Sequence, residues 1–131
     1  MKNSKKIFWA KPSIKEEEIS AITKVAKSNW MTQGSVTQQL EKNLCKKFNV
    51  KNAVVTNNGT SSLICALLAH GIKPGDEVLV PSFTFVSTVN SILSIGAKPV
   101  LVDSNSRTFN TEIKFLKQKI SKKTRAIMPV D

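Results

Sequence analysis

The sequence has 131 residues, which is enough for one modest domain with a single hydrophobic core. Apolar residues make up 40% of it, and the five glycines and five prolines exclude a fibrous or disordered chain. The formal net charge is +11, but the basic residues are mostly lysines spread along the chain, a distribution that does not favour nucleic-acid binding.

We expect no targeting signal at the start of the chain. Residues 7–10 form its only apolar run, which is too short for the apolar region of a signal peptide. No apolar stretch is long enough to cross a bilayer. The two cysteines, Cys45 and Cys65, lack the paired spacing of a zinc or redox motif. We therefore expect a cytoplasmic protein that binds neither a metal nor a membrane.

Two helices are predicted first. Ser13 and Glu16 have the spacing of a capping box, followed by a helical apolar pattern that fades near Ser28. After a loop at residues 30–34, apolar residues recur every four positions and predict a second amphipathic helix: Val36, Leu40, Leu44 and Phe48.

From residue 53 onward, short apolar runs alternate with helical patterns, which is typical of parallel βαβ units. Strands are predicted at 53–56, 77–80, 99–102 and 124–130, and helices at 63–69, 86–93 and 113–120. The helix at 63–69 is apolar nearly all round, so we expect it to be covered on several sides. Because the sequence stops at Asp131, directly after a strand, we expect an unfinished layered sheet.

The most informative local feature is the polar turn Asn58-Gly59-Thr60-Ser61 between the first predicted strand and its helix. Backbone N–H groups and the positive end of the helix dipole attract anions at such a position, and the hydroxyls of Thr60 and Ser61 add donors. The same residue types are also ordinary helix caps. The turn therefore predicts a phosphate site or a simple cap.

Several further motifs occur in a fixed order along the chain: residues 29–34 (Asn-Trp-Met-Thr-Gln-Gly), 72–78, 81–88 (Pro-Ser-Phe-Thr-Phe-Val-Ser-Thr), 96–103 and 123–131. Together with the turn at 58–61, they resemble the DegT/DnrJ/EryC1/StrS family of sugar aminotransferases over nearly the whole chain. The resemblance implies the amino-terminal part of the α/β large domain of a fold-type-I transferase dependent on pyridoxal 5'-phosphate (PLP), with a layered, mostly parallel sheet and crossover helices. Residues 1–34 would form an amino-terminal helix and a substrate-side loop, and residues 35–131 an incomplete PLP-binding domain.

Site residues follow from the resemblance. Gly59, Thr60 and Ser61 would hold the cofactor phosphate, and Phe85 would stack on the pyridine ring, with a packed core aromatic as its alternative. Thr32 and Gly34 would lie near a sugar-nucleotide substrate, or simply in a loop between helices.

Other residues receive structural interpretations. We expect Phe83 to be a core residue, and His70, the only histidine, to end a helix. Asp103 and Asp131 end strands and either border the site or cap the strands.

The family function implied is transfer of an amino group, with glutamate as donor, to a nucleotide-linked keto-deoxysugar in a perosamine-synthase-like reaction. Full-length members form homodimers and supply amino sugars for polysaccharides. The family's Schiff-base lysine has no counterpart in these 131 residues, so we assign no catalytic residue and expect the chain alone to be inactive. The alternatives are an inactive truncated fragment and a basic module that binds nucleotides or nucleic acid.

Overall fold

The computed structural model describes residues 8 and 10–130, so Asp131 lies outside the described residues. The chain divides into two compact units, residues 1–54 and residues 55–131. The second predicted helix falls in the first unit, whereas the sequence grouped it with the sheet. The proposed domain boundary after residue 34 stays a prediction.

The first unit contains two helices, α1 (Glu16–Lys27) and α2 (Ser35–Phe48), as the apolar spacing predicts. The capping box is displaced from its predicted position, because the Lys15 N–H donates to Glu18 Oε2 at 2.7 Å. Ser13 and Glu16 were thus the wrong pair: the helix begins at Glu16, which makes Glu18 the third helical residue.

The second unit is a three-layer α/β structure whose strands are all parallel, in the order β2-β1-β3. Its elements in chain order are α3 (Gly59–Ala69), β1 (Glu77–Pro81), α4 (Val86–Ser94), β2 (Lys98–Val102), α5 (Ile113–Lys119) and β3 (Thr124–Ile127). β1 is buried along its whole length because it has a strand on each side. The predicted fold class is confirmed.

The helices cover both faces of this sheet. The connection from β1 to β2 moves one way across the sheet and the connection from β2 to β3 moves back past β1. Right-handed crossovers in opposite directions place α4 and α5 on opposite faces. α3 packs beside α4, and the core on that face joins α3, β1 and α4 through Leu67, Val78, Val80 and Ile92.

A polar cluster ties the elements together at the amino edge of the sheet. The Glu77 carboxylate accepts a hydrogen bond from Ser121 Oγ at 2.6 Å and one from Lys98 Nζ at 3.0 Å. These hydrogen bonds, that of Ser121 first, lower the pKa of Glu77. One carboxylate thus connects β1 to β2 and to the turn before β3.

Three predicted features differ from the structure. Residues 53–56 form no strand in the described part of the chain, and Val54 is 80% exposed. The last strand ends at Ile127 rather than at residue 130, and its pairing with β1 stops at Leu79 and Ile127. Helix α3 has one buried residue, Leu67, so within the described residues it is covered on one side only.

Candidate cofactor site

The predicted phosphate turn lies at the carboxyl edge of the sheet. α3 leads into the amino end of β1, so it runs opposite to the strand and begins near the strand's carboxyl end. α4 starts just after β1 and, like α3, runs opposite to the strand. The sequence folds Gly59, Thr60, Ser61 and Phe85 into the starts of two adjacent helices, at the edge where α/β sheets bind ligands.

The turn is held in shape by its own side chains. Asn58 caps α3, and its Oδ1 accepts the Ser61 N–H at 2.9 Å. The hydroxyls of Thr56 and Ser62 lie 2.6 Å apart, and Thr56 Oγ1 also donates to the Asn58 carbonyl at 2.8 Å. Thus Gly59, Thr60 and Ser61 form the first helical turn itself, and the bracing hydroxyls of Thr56 and Ser62 are additions to the predicted site.

Several donors at this helix start are left available. The backbone N–H groups of Gly59 and Thr60 have no acceptor among the described residues, and the hydroxyls of Thr60 and Ser61 have no hydrogen-bond partner there. No acidic residue occurs in the sequence between Glu41 and Asp76. This set of donors fits a phosphate group, since the helix start contributes partial positive charge and no carboxylate competes.

Gly59 has no internal reason to be glycine. Its φ is not positive, and a Cβ built on it meets no atom within 4 Å. Glycine inside a helix costs roughly 1 kcal/mol relative to alanine. Because Gly59 has no side chain, a bound group could approach its backbone closely. This also fits a phosphate at the start of α3.

The two aromatics of the neighbouring segment have separate environments. Phe85 stands at the N-cap of α4 and is 75% exposed, so a flat apolar face is open at the site. Phe83 is 63% exposed, and its ring lies 5.0 Å from that of Phe109. The expectation that Phe83 is a core residue was wrong, because its side chain pairs with a loop residue at the surface.

Thr32 and Gly34 belong to the first unit and are described within it. Thr32 is exposed and Gly34, the N-cap of α2, is half-buried. Both line a cavity of about 330 Å³ with Trp30 and residues of α1 and α2. Trp30 contributes its indole N–H, which donates to the Gln33 carbonyl at 2.9 Å.

His70 and Asp103 come just after the carboxyl ends of α3 and β2. His70 is the C-cap residue of α3, with Nδ1 2.8 Å from the Ala66 carbonyl oxygen, so its predicted place at a helix end is confirmed. Asp103 follows β2 and is exposed. No cluster of three His, Cys, Asp or Glu side chains suited to a metal occurs among the described residues.

Comparison with known proteins identifies the family. Residues 12–131 match the model of the DegT/DnrJ/EryC1/StrS aminotransferase family. The chain belongs to this family.

The solved structures that the chain resembles include aminotransferases. Spr1654 of Streptococcus pneumoniae, named as a sugar aminotransferase and solved in PLP and pyridoxamine-phosphate (PMP) forms, is 35% identical with a TM-score of 0.87, over 94% of this chain and 31% of that one. An aminotransferase from Psychrobacter cryohalolentis is 33% identical with a TM-score of 0.83, over 92% and 31%. A GDP-4-keto-6-deoxymannose-3-dehydratase with a trapped PLP-glutamate adduct is 28% identical with a TM-score of 0.83, over 92% and 33%.

This family member thus spans about a third of the length of the structures it matches. Among its described residues, no helix has the length and apolarity needed to cross a membrane. The signals that sequence reasoning missed here are contacts between distant residues, such as Phe83 with Phe109, which leave no local pattern.

Proposed function

We propose that this chain provides the phosphate-binding and ring-facing half of the PLP site of an aminotransferase that acts on a nucleotide-linked keto-deoxysugar. The observation that carries the proposal is the set of unpartnered donors at the start of α3, next to the exposed ring of Phe85. Support comes from the family and from the relatives solved in PLP and PMP forms.

Each residue has a stated part in this proposal. The N–H groups of Gly59 and Thr60 and the hydroxyls of Thr60 and Ser61 bind and orient the cofactor phosphate. Phe85 lies against one face of the pyridine ring and excludes water from it. When bound, PLP supplies the electron sink that moves an amino group between carbon atoms.

The substrate part of the proposal rests on the relatives. The matched dehydratase acts on a GDP-linked keto-deoxysugar and was trapped with glutamate. We assign glutamate as amino donor and a nucleotide-linked sugar as acceptor, with Thr32 and Gly34 on the substrate side. Amino transfer is preferred to dehydration because the family and two of the three matched enzymes described above are aminotransferases.

We further propose that the full-length protein is a cytoplasmic homodimer whose amino-sugar product is used for polysaccharide assembly. Inactivity of the 131 residues alone is part of the proposal, since none of their lysines stands where the family places its covalent anchor. The match to an aminotransferase family covers residues 12–131, which disfavours the alternative of a basic module that binds nucleic acid.

The phosphate site is tested by titrating the chain with PLP and following the ³¹P resonance of the phosphate. The double variant Thr60→Ala/Ser61→Ala removes two hydroxyl donors, and we expect it to weaken binding at least tenfold, since hydrogen bonds to charged groups contribute about 1.5–3 kcal/mol each.

Ser94→Ala is the matched control. It removes a hydroxyl at the far end of α4, where Ser94 Oγ donates to the Asn90 carbonyl at 2.7 Å. Equal PLP affinity in the wild type and the double variant would refute the assignment of the phosphate site.

A further inference from the structure

Trp30 and Gly34 face each other across the loop between α1 and α2. A Cβ built on Gly34 would lie 2.7 Å from both Cδ1 and Nε1 of Trp30. Such a distance is far inside van der Waals contact, so the indole edge occupies the place of the missing side chain. The φ of Gly34 is −161°, an extended value open to any residue, so the glycine is explained by this contact alone.

The same edge of the indole makes a hydrogen bond. Nε1–H donates to the Gln33 carbonyl at 2.9 Å, next in the chain to Gly34. The ring is rigid, so moving it away from position 34 would also pull the donor from its acceptor. The hydrogen bond and the close contact are therefore coupled through one side chain.

This arrangement spans the loop from end to end. The Trp30 N–H lies 3.3 Å from Ser28 Oγ, at the end of α1, and the Gly34 carbonyl accepts from Gln38 N–H in the first turn of α2. Asn29, between Ser28 and Trp30, has a φ of 56°, a left-handed value that asparagine tolerates. Within the loop that joins α1 to α2, the indole of Trp30 contacts both Gln33 and Gly34. We call this arrangement the brace.

The braced loop forms one wall of the 330 Å³ cavity that Thr32 also lines. We propose that Trp30 and Gly34 are a matched pair of positioning residues that fixes the conformation in which this loop meets the nucleotide-sugar. The proposal rests on the substrate role given above to Thr32 and Gly34. It adds that Trp30 acts through Gly34, and that neither residue can be changed alone without loss.

The brace itself is tested without any ligand. The chain has two tryptophans, Trp9 and Trp30, so a ¹H–¹⁵N spectrum contains two indole signals, and Trp30→Phe assigns them by deletion. In Gly34→Ala we expect the Trp30 indole N–H to shift toward the position of a solvent-exposed indole and to exchange faster with water, while the Trp9 signal stays in place. An unchanged Trp30 signal would overturn the proposal.

The positioning role is tested with GDP-mannose as the probe, by following the backbone amides of Thr32 and Gly34. Gly34→Ala and Trp30→Ala should each weaken binding about tenfold. In Trp30→Ala/Gly34→Ala the second substitution should cost nothing more, because the clash is gone. Additive losses would overturn the coupling.

Failure of the substrate assignment gives a different result. If GDP-mannose leaves both amides of the wild-type chain unmoved while Gly34→Ala still displaces the indole, the brace stands and the loop has no role in binding this probe. The positioning role would then be rejected, and the PLP half-site, tested by ³¹P resonance, would be unaffected.

Discussion

Gly59 and Gly71, two glycines of the second unit, differ in whether their backbone conformation requires glycine. Neither would place a Cβ within 4 Å of another atom, but only Gly71 has a positive φ, of 72°. At Gly59 the backbone conformation suits any residue, and no contact among the described residues requires a glycine. At Gly71 the backbone turn that ends α3 needs the left-handed conformation.

This contrast predicts opposite effects of the same substitution. Gly59→Ala should stabilise the chain by about 0.5 kcal/mol, because alanine reduces the entropy of the unfolded state in a compatible conformation. Gly71→Ala should destabilise it by about 1 kcal/mol through left-handed strain. Urea denaturation measures both. Gly59→Ala should also weaken PLP binding, and a variant that is both less stable and unimpaired in binding would contradict this view of Gly59.

Phe85 and Phe83 provide a second matched pair. Phe85 has an open face at the site, whereas Phe83 packs on Phe109. Phe85→Ala should therefore weaken PLP binding about tenfold through loss of stacking and buried area. Phe83→Ala should leave binding unchanged while lowering stability. Fluorescence titration with PLP distinguishes them, and equal losses of affinity would show that the two rings act together.

At the scale of elements, the carboxylate of Glu77 gives a prediction about pH. Its folded pKa lies below the ordinary value of 4.5 because Ser121 and then Lys98 donate to the ionised form. A group with a lowered folded pKa contributes stability that is fully present above its unfolded pKa and is lost as the pH falls through the folded pKa. The connection of β1 with its neighbours should therefore weaken below about pH 4.5.

The comparison with Glu77→Gln isolates this effect. Wild type should exceed the variant in urea midpoint at pH 7, and the difference should shrink as the pH falls below about 4.5, since glutamine does not titrate. Glu17→Gln, on the exposed part of α1, serves as control for acid effects elsewhere. A difference that stays constant from pH 7 to pH 3 would show that Glu77 acts through packing rather than charge.

Most elements of this fold could be predicted from local patterns. The period of apolar residues located five helices, and the parallel βαβ arrangement followed from their alternation with short strands. The failures concern features set by distant contacts. Residues 53–56 have a strand-like composition, but a strand also needs a pairing partner. Phe83 was predicted as a core residue because its contact with Phe109, 26 positions away, leaves no local pattern in the sequence.

The site was predictable to a similar extent. The residue types of the turn at 58–61 predict an anion site or a helix cap, and the family resemblance implies a ring-stacking role for Phe85, which stays a prediction. The sequence does not show which donors already have a hydrogen-bond acceptor. In the structure the Ser61 N–H donates to Asn58 Oδ1, while the N–H groups of Gly59 and Thr60 have no acceptor among the described residues. Availability depends on side-chain rotamers, and these become visible only in the folded structure.

Across the second unit, three lysines lie at the edge of the sheet opposite the candidate site. Lys73, Lys98 and Lys123 stand at the amino edge, just before or at the start of strands. Lys114 is the second residue of α5 and pairs with Glu112 at 2.6 Å. That ion pair and a hydrogen bond from Asn105 lower the pKa of Glu112. In the proposed site, the donors at the start of α3 would bind the phosphate, and Lys114 is engaged by Glu112.

This distribution predicts reversible binding of PLP. A covalent link needs a lysine amine at the cofactor's aldehyde carbon, and the lysines at the amino edge lie across the sheet from the site. PLP should therefore dialyse away, and borohydride should leave no stoichiometric pyridoxyl adduct on any one lysine in peptide mass spectrometry. Pyridoxal without the phosphate controls for scattered surface reaction. A single phosphate-dependent adduct would show that these 131 residues contain a covalent anchor, and Lys114 would be the first residue to examine.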